Sequence, residues 1–252
     1  MSGSRLAVTS RARTTVVAAL LVPLALAVLL PQAAHGDAAG EVTHLSGAVV
    51  ARKPDGQSRI LSIKSEVHEG DIVATADNSY ARVKFGDGTE AVLRPATQVW
   101  IVAFTFNEQR PQQDNVVLSL LKGGMRAITG LLARRNPAKF RVATPSATIL
   151  IRGTHFGLQF CNNDCGGVIS PQGGAPANGL HADVADGSIS LTTQAGTIVV
   201  GVGQFAYVQS PMVLPVLVPP AQGVRTVLPP QATNPALKGG TVGKPGGLEC
   251  AI

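Results

Sequence analysis

The stretch ARVKFGDGT, residues 81–89, decides the fold. Its apolar residues Ala81, Val83 and Phe85 alternate with charged residues, which is typical of a strand that buries one face. The Asp-Gly pair that follows favours the positive φ of a tight turn, so that a second strand can pair with the first. The stretch therefore predicts a β-hairpin.

Similar units follow along the chain. Short runs of branched and aromatic residues are interrupted by turn-forming residues roughly every eight to twelve positions. The further strand candidates are residues 99–106, 148–151, 189–192 and 197–200. This spacing predicts an all-β fold. Strand–turn units of roughly 20 residues are what a β-solenoid or β-roll of short strands needs, and the same spacing also suits a β-sandwich or a barrel, so these architectures stay open at this point.

The first 36 residues have the composition of a secretory signal peptide. Arg5, Arg11 and Arg13 precede an apolar run over residues 16–30, and a small-residue cleavage pattern precedes Asp37. The alternative is an inner-membrane anchor through residues 16–30, although that run is shorter than the roughly 20 residues that span a bilayer. We expect an exported, periplasmic protein, with secretion from the cell as a further alternative.

The mature chain is weakly charged and divides by composition. Its formal charge is +3 rather than +6, because three arginines leave with the signal peptide. A small charge in an exported protein argues against a nucleic-acid partner. From residue 211 the chain is rich in proline and glycine. We therefore predict a β domain over residues 37–210 and a largely disordered tail over 211–252.

Three cysteines lie in the mature part of the chain. Cys161 and Cys165 flank a turn-forming Asn-Asn-Asp, and in an exported protein such a pair favours a structural disulfide. Together with His155 and His181 they offer ligand types that suit zinc, but their spacing matches no common zinc motif. Cys250 is left over and is predicted to be a free or intermolecular thiol.

Residues 116–135 are ambiguous. Apolar residues lie near helical spacing, but Gly123 and Gly124 interrupt the run, and each glycine costs about 1 kcal/mol in a helix. We predict two short strands around a Gly-Gly turn, with a helical turn near Leu131 as the alternative.

The span from Asn115 to Asn163 contains no acidic residue. Its basic residues are Lys122, Arg126, Arg134, Arg135, Lys139, Arg141 and Arg152. These side chains are candidates for contact with an anionic lipid or glycan surface, or with an acidic protein face. The alternative is a set of solvated charges that discourage pairing at strand edges.

Motifs for catalysis are not evident in the sequence. It lacks nucleophile-elbow, zinc-protease and phosphate-loop patterns, so we predict no enzymatic activity and no cofactor. Asp71, Asp87 and Asp186 adjoin glycines, and turn formation explains them better than a calcium loop does. Trp100 and Phe104 would share one side of a regular strand, either in the core or as a stacking platform for sugar rings.

Residues 41–160 resemble the FecR domain, named after a ferric-citrate signalling regulator of Gram-negative bacteria. The matching positions are Gly47, Val49, 69–71, 74–75, Ala81-x-Val83-x-Phe85, 87–89, Leu93, 123–124, 143–145 and Arg152-Gly153-Thr154-x-Phe156. A later segment, from Val184 to Gln204, resembles the closing strands of that family.

The resemblance implies an extracytoplasmic, β-rich, solenoid-like module that works by contact with other proteins. In the regulator, this module relays the state of an outer-membrane receptor to a cytoplasmic anti-sigma segment. Only 15 residues precede the apolar run, too few for such a segment to fold, so we expect a freestanding exported FecR-domain protein. The expected function is a non-catalytic interaction module of the cell envelope, with an unidentified envelope protein as its partner. The alternatives are a glycan-binding protein and an envelope enzyme.

Overall fold

The computed structural model describes residues 37–227. The predicted signal peptide, the alternative anchor and Cys250 fall outside this range and stay predictions. None of the helices among the described residues is long and apolar enough to cross a membrane. The strands are β1 (Ala38–Ser46), β2 (Val49–Arg52), β3 (Ser58–Ile60), β4 (Glu66–His68), β5 (Ile72–Thr75), β6 (Tyr80–Phe85), β7 (Glu90–Leu93), β8 (Gln98–Thr105), β9 (Asn115–Ile128), β10 (Phe140–Ala143), β11 (Thr148–Ile151), β12 (His155–Cys161), β13 (Gly179–Asp186), β14 (Ser188–Thr193), β15 (Gly196–Gly201), β16 (Phe205–Val208) and β17 (Val216–Val218).

The helical elements are short. Helix α1 spans Leu131–Arg135, and 3₁₀ turns lie at Pro111–Gln113 and Pro137–Lys139. Helix α1 lies where the sequence predicted a helical turn near Leu131, so that alternative is confirmed.

The strands form two sheets that share β9. Sheet 1 has the order β4-β1-β6-β7-β9-β12-β13-β16-β17. Sheet 2 has the order β3-β2-β5-β8-β9-β10-β11-β14-β15. Among the described ladders, β9–β10 is parallel and the others are antiparallel. The all-β class is confirmed. The β-solenoid arrangement is not confirmed, because the stacked coils of a solenoid would pair mainly in parallel.

One apolar core contains the inner faces of both sheets. Val42, Val83 and Leu158 of sheet 1 and Ile101 and Ile149 of sheet 2 are at most 1% exposed and belong to one cluster. A core that joins two sheets is the arrangement of the sandwich alternative.

The predicted hairpin is present. Strand β6 pairs with β7, and Gly88 in the turn has a φ of 83°. The Asp87 carboxylate accepts hydrogen bonds from the backbone N–H and the hydroxyl group of Thr89. Burial raises the pKa of the Asp87 carboxyl, although these hydrogen bonds oppose the shift. The Asp87 side chain is therefore part of the turn.

Strand β9 bends at Gly123 and passes from sheet 2 to sheet 1. Residues 115–122 pair with β8 in sheet 2, and residues 123–128 pair with β12 in sheet 1. Gly123 has a φ of 77°, and the Thr97 hydroxyl bonds to both the N–H and the carbonyl oxygen of Gly124. The predicted turn between two strands is therefore wrong. Both halves of the strand find partners in different sheets, so the glycines produce a bend and not a reversal.

The chain after β17 lies against the outer face of sheet 1. Gly223 sits so close to Phe205 that a Cβ atom on the glycine would come within 2.1 Å of the Phe205 ring. Val224 is buried, and the Arg225 guanidinium lies 5.2 Å from the centre of the same ring.

A buried ion pair holds this segment in place. Arg126 of β9 and Asp183 of β13 are 2.7 Å apart, with both side chains less than a tenth exposed. The Thr226 N–H donates to Asp183, and Arg126 donates to the Thr226 carbonyl oxygen. The ordered fold thus extends beyond the predicted boundary at residue 210, because the backbone at Thr226 completes the hydrogen bonding of the pair.

Replacement of Gly123 by alanine should destabilise the protein strongly. A Cβ atom there would lie 2.4 Å from Thr97 Oγ1 and 2.7 Å from the Ala96 carbonyl oxygen. The clash adds to the cost of a positive φ, so we expect a loss of about 2–5 kcal/mol in the free energy of unfolding, measured by urea denaturation. The matched control is Gly56→Ala, where φ is 89° and no described atom lies within 4 Å of the new Cβ. That variant should lose only about 1–2 kcal/mol, and equal losses would contradict the steric role of Gly123.

Replacement of Arg126 by alanine should also destabilise the protein, because it leaves the Asp183 carboxylate buried without this cation. We expect a loss of about 3–5 kcal/mol in urea denaturation. The double variant Arg126→Met with Asp183→Leu should recover most of it, since no buried charge remains. Arg141→Ala removes an exposed arginine and should change stability by no more than about 0.5 kcal/mol. A double variant no more stable than the single one would argue against the charge as the cause.

Candidate functional site

The predicted disulfide is present at the end of β12. Cys161 and Cys165 are bonded, with their Cα atoms 5.4 Å apart. Gln159, which precedes the pair on the same strand, donates a hydrogen bond from Nε2 to Cys165 Sγ at 3.3 Å. The disulfide therefore shapes a short loop that is anchored on sheet 1.

The alternative zinc site is not assembled. His155 Nε2 accepts a hydrogen bond from Arg126, and a ring nitrogen of His181 lies 2.8 Å from the Ala177 carbonyl oxygen. Burial lowers the pKa of both histidines, and the Arg126 charge adds to this effect at His155, so both rings favour the neutral form. Residues 37–227 contain no cluster of three or more His, Cys, Asp or Glu side chains placed to hold a metal ion.

Three of the seven basic residues of the acid-free span pair with acidic residues. Arg126 is buried in its pair with Asp183, and Arg135 pairs with the buried Asp114 at 2.7 Å. Lys122 lies 3.7 Å from Asp164. The acidic partners, Asp114, Asp164 and Asp183, lie outside the acid-free span. The composition of the span therefore could not predict these pairs. The residues of the span that are exposed and form no ion pair within residues 37–227 are Arg134, Lys139, Arg141 and Arg152.

The two aromatic residues of β8 point in different directions. Val99 and Ile101 face the core, so Trp100 between them faces outward. A register shift between Ile101 and Ala103 reverses the alternation, and Phe104 packs on the core and stacks on Phe85 with ring centres 5.7 Å apart. The expected shared face is therefore wrong for this pair, and β8 forms no row of stacking rings from them.

Strands β14–β17 carry no charged side chain, although the Arg225 guanidinium lies 5.2 Å from the ring of Phe205 on β16. From Gly187 to Val224 the sequence contains no Asp, Glu, Lys or Arg, and neither does the span 165–182. Our sequence reasoning missed this feature, although a search for uncharged runs would have found it. Only the topology reveals that β15 and β17 are the last strands of their sheets on the same side of β9.

A row of exposed apolar side chains lies at this end of the fold. We define the apolar edge as Met212, Val213, Leu214, Val216 and Leu217, which are 41–66% exposed. Val199 and Val202, at β15, are also exposed. Strand β17 pairs with β16 on one side, and no described strand pairs with its other side. The edge thus combines unpaired backbone with apolar side chains, which is the usual template for addition of another strand.

The strands at the other ends of the two sheets, β3 and β4, carry charged residues, unlike the apolar edge. Strand β3 carries Arg59, which pairs with the buried Asp71 at 2.7 Å, and β4 carries Glu66 and His68. Charged residues and short strands are common means of protecting a sheet edge from unwanted pairing. The two ends of the fold are therefore unequal, and the apolar edge is the better candidate for contact with another chain.

Two crystal structures, at 1.65 and 2.50 Å resolution, of a proposed anti-sigma factor from Parabacteroides distasonis ATCC 8503 are similar to this chain at 14% identity, with a TM-score of 0.44. The match covers 58% of this chain and 58% of that protein, so the chain spans less than two thirds of its length. No curated protein matches the chain.

The family comparison is more specific. Residues 71–170, which run from the start of β5 to the disulfide loop, match the family model described as FecR protein. This range includes most of the positions on which the sequence resemblance rests, together with the whole of β9. The FecR-domain assignment therefore applies to residues 71–170.

Proposed function

We propose that the protein is a non-catalytic interaction module of the periplasm, related to signalling regulators, and that its apolar edge binds a partner envelope protein. The partner supplies an extended, uncharged strand that pairs with β17. The observation that carries this proposal is the coincidence of an unpaired strand side with the uncharged end of the fold.

The chemistry of the edge supports an apolar partner segment. Leu217 is 50% exposed and Val216 is 47% exposed, so a covering strand would remove apolar surface from water at about 25 cal/mol per Å². A charged partner segment would lose hydration without gaining an opposite charge from the five side chains of the edge, because all of them are uncharged. An uncharged strand avoids that cost.

Flanking prolines restrict what can bind. Pro215 precedes β17 and Pro219 follows it, and proline offers no backbone N–H to a neighbouring strand. A partner strand can therefore pair over only a few residues. This limits open-ended association between copies of the edge while leaving room for one short strand.

Photo-crosslinking from position 217, followed by replacement of Leu217 by lysine, tests the proposal. A photo-crosslinking residue at position 217, compared with one at Ile60 on the exposed β3, should link to one envelope protein only from position 217. A peptide that covers the linked segment should then bind the purified protein and slow hydrogen exchange of the β17 amides. Leu217→Lys should weaken the peptide at least about tenfold, equivalent to about 1.4 kcal/mol, whereas Ile60→Lys should not.

Other outcomes would overturn the proposal. Crosslinking only to a second copy of this chain would make the edge a self-association surface. Equal crosslinking from positions 217 and 60 would show that the contact is not specific to β17. Undiminished peptide binding by Leu217→Lys would place the contact elsewhere.

A second contact surface is proposed from the basic residues that remain exposed. Arg134, Lys139 and Arg141 form no ion pair within the described residues, so their charges are available to an anionic lipid or glycan surface. Such contacts contribute about 1 kcal/mol per basic residue at a membrane surface. This surface would add to protein binding and does not depend on β17.

Charge reversal should reveal this contact. The double variant Arg134→Glu with Lys139→Glu should bind vesicles of an anionic phospholipid at least about tenfold more weakly at low salt, measured by co-sedimentation. Arg52→Glu, which reverses an exposed arginine on β2, is the control and should have a smaller effect. Unchanged retention of the double variant would exclude the surface.

A further inference from the structure

A cavity of about 270 Å³ lies beside the bend of β9. The turn before β6, the segment after β7 and the disulfide loop surround it. Its lining includes Asp77, Asn78, Arg94, Gly123, Gln159 and Asp164. We call it the Arg94 pocket. It belongs to neither the apolar edge nor the exposed basic residues.

Arg94 differs from the arginines that pair closely with acidic residues. Arg59, Arg126 and Arg135 each lie 2.7 Å from a carboxylate oxygen. Arg94 donates to Gln159 Oε1 at 3.3 Å and forms no ion pair within the described part of the chain. Burial lowers the pKa of Arg94, and the negative charge of Asp183 opposes that shift. A cation in this position is costly to desolvate unless an anion joins it.

Three residues beside the pocket have a positive φ. Asn78 has a φ of 56°, Ala96 of 51° and Gly123 of 77°. Alanine in the left-handed region costs about 1–2 kcal/mol, and such residues persist only where the surrounding structure enforces them. Ala96 is the strained residue of the three, because glycine and asparagine adopt this region at little cost, and its conformation indicates that the surrounding fold holds the backbone at the pocket.

Two acidic residues set the charge of a suitable ligand. Asp77 and Asp164 line the pocket with Arg94, and Asp164 also lies 3.7 Å from Lys122. A phosphate or sulfate group, with two charges, would be repelled by both carboxylates. A single carboxylate can take a paired hydrogen bond from the guanidinium fork, while nearby N–H donors on the same ligand bond to the acids.

We propose that the Arg94 pocket binds the C-terminal carboxylate of a polypeptide. The chain end carries one negative charge next to backbone N–H donors, which matches a pocket lined by one guanidinium and two carboxylates. Arg94 holds the terminal carboxylate, and Asp77 and Asp164 accept hydrogen bonds from the last amides. The disulfide keeps the loop that carries Asp164 against the pocket.

The first experiment compares two small probes. N-acetyl-Gly-Ala with a free carboxylate and the same peptide with a C-terminal amide are titrated into the ¹⁵N-labelled protein. The free acid should shift the amide resonances of residues 77–78, 94–96, 123 and 164–168. The amide should bind at least about tenfold more weakly, because it cannot pair with the guanidinium. Equal shifts from both probes would overturn the proposal.

Variants separate the roles of the side chains. Arg94→Gln should abolish binding of the free acid, and Arg94→Lys should weaken it about tenfold because the paired hydrogen bond is lost. Arg52→Gln, which removes an exposed arginine on β2, is the matched control and should bind as the unmodified protein does. Undiminished binding by a folded Arg94→Gln variant would refute the pocket.

Two further measurements guard against an unfolded variant and a different anion. Asp77→Asn removes a repelling charge, so it should admit inorganic phosphate, which the unmodified protein rejects; continued rejection would contradict the proposed role of the acids. Glucuronate provides a sugar carboxylate without amides and should bind more weakly than the peptide, and tighter binding would assign the pocket to acidic glycans.

Leu217→Lys should leave peptide binding at Arg94 unchanged, because this inference does not rest on the apolar edge.

Discussion

The bend of β9 at Gly123 and Gly124 allows one strand to pair in both sheets. The first half of β9 lies between β8 and β10, and the second half lies between β7 and β12. Each sheet is therefore continuous only because β9 occupies its centre. The hydroxyl of Thr97 completes the backbone hydrogen bonding at the point where the strand changes sheets. A bulkier residue at Gly123 or Gly124 would meet Thr97 or Gln159.

The buried pair of Arg126 and Asp183 extends this dependence to the end of the described chain. Arg126 belongs to β9, Asp183 belongs to β13, and the backbone of Thr226 bonds to both. Two buried charges are costly to desolvate, and a buried pair is tolerated when further hydrogen bonds satisfy it. The segment after β17 supplies those bonds and covers the outer face of sheet 1. The fold therefore needs residues that composition alone assigns to a disordered tail.

The strands could be predicted from the sequence because alternation is a local property, and residues 148–151 and 81–85 were located within a residue of their observed bounds. The role of Gly123 could not, since a glycine at positive φ serves a turn and a bend equally well. Whether Gly123 produces a turn or a bend depends on the strands that pair with β9, and these strands lie far along the chain. The same limit applies to Arg126, whose carboxylate partner is 57 residues away. The face of β8 that Phe104 occupies could not be predicted either, because a register shift in β8 interrupts the alternation of side chains.

The Arg94 pocket and the apolar edge would recognise a partner by different physical means. An apolar strand edge gains affinity from buried surface and backbone pairing, which discriminate poorly among uncharged segments. A guanidinium in a recess of fixed shape is directional, since it rewards a planar carboxylate and penalises a neutral group that leaves it unpaired. Gln159 connects that recess to the rest of the fold, because it contacts Arg94 and Cys165 and lies against Gly124. The bend of β9, the disulfide and the charged recess therefore share one side chain, and the geometry at Arg94 follows from the same constraint that joins the two sheets.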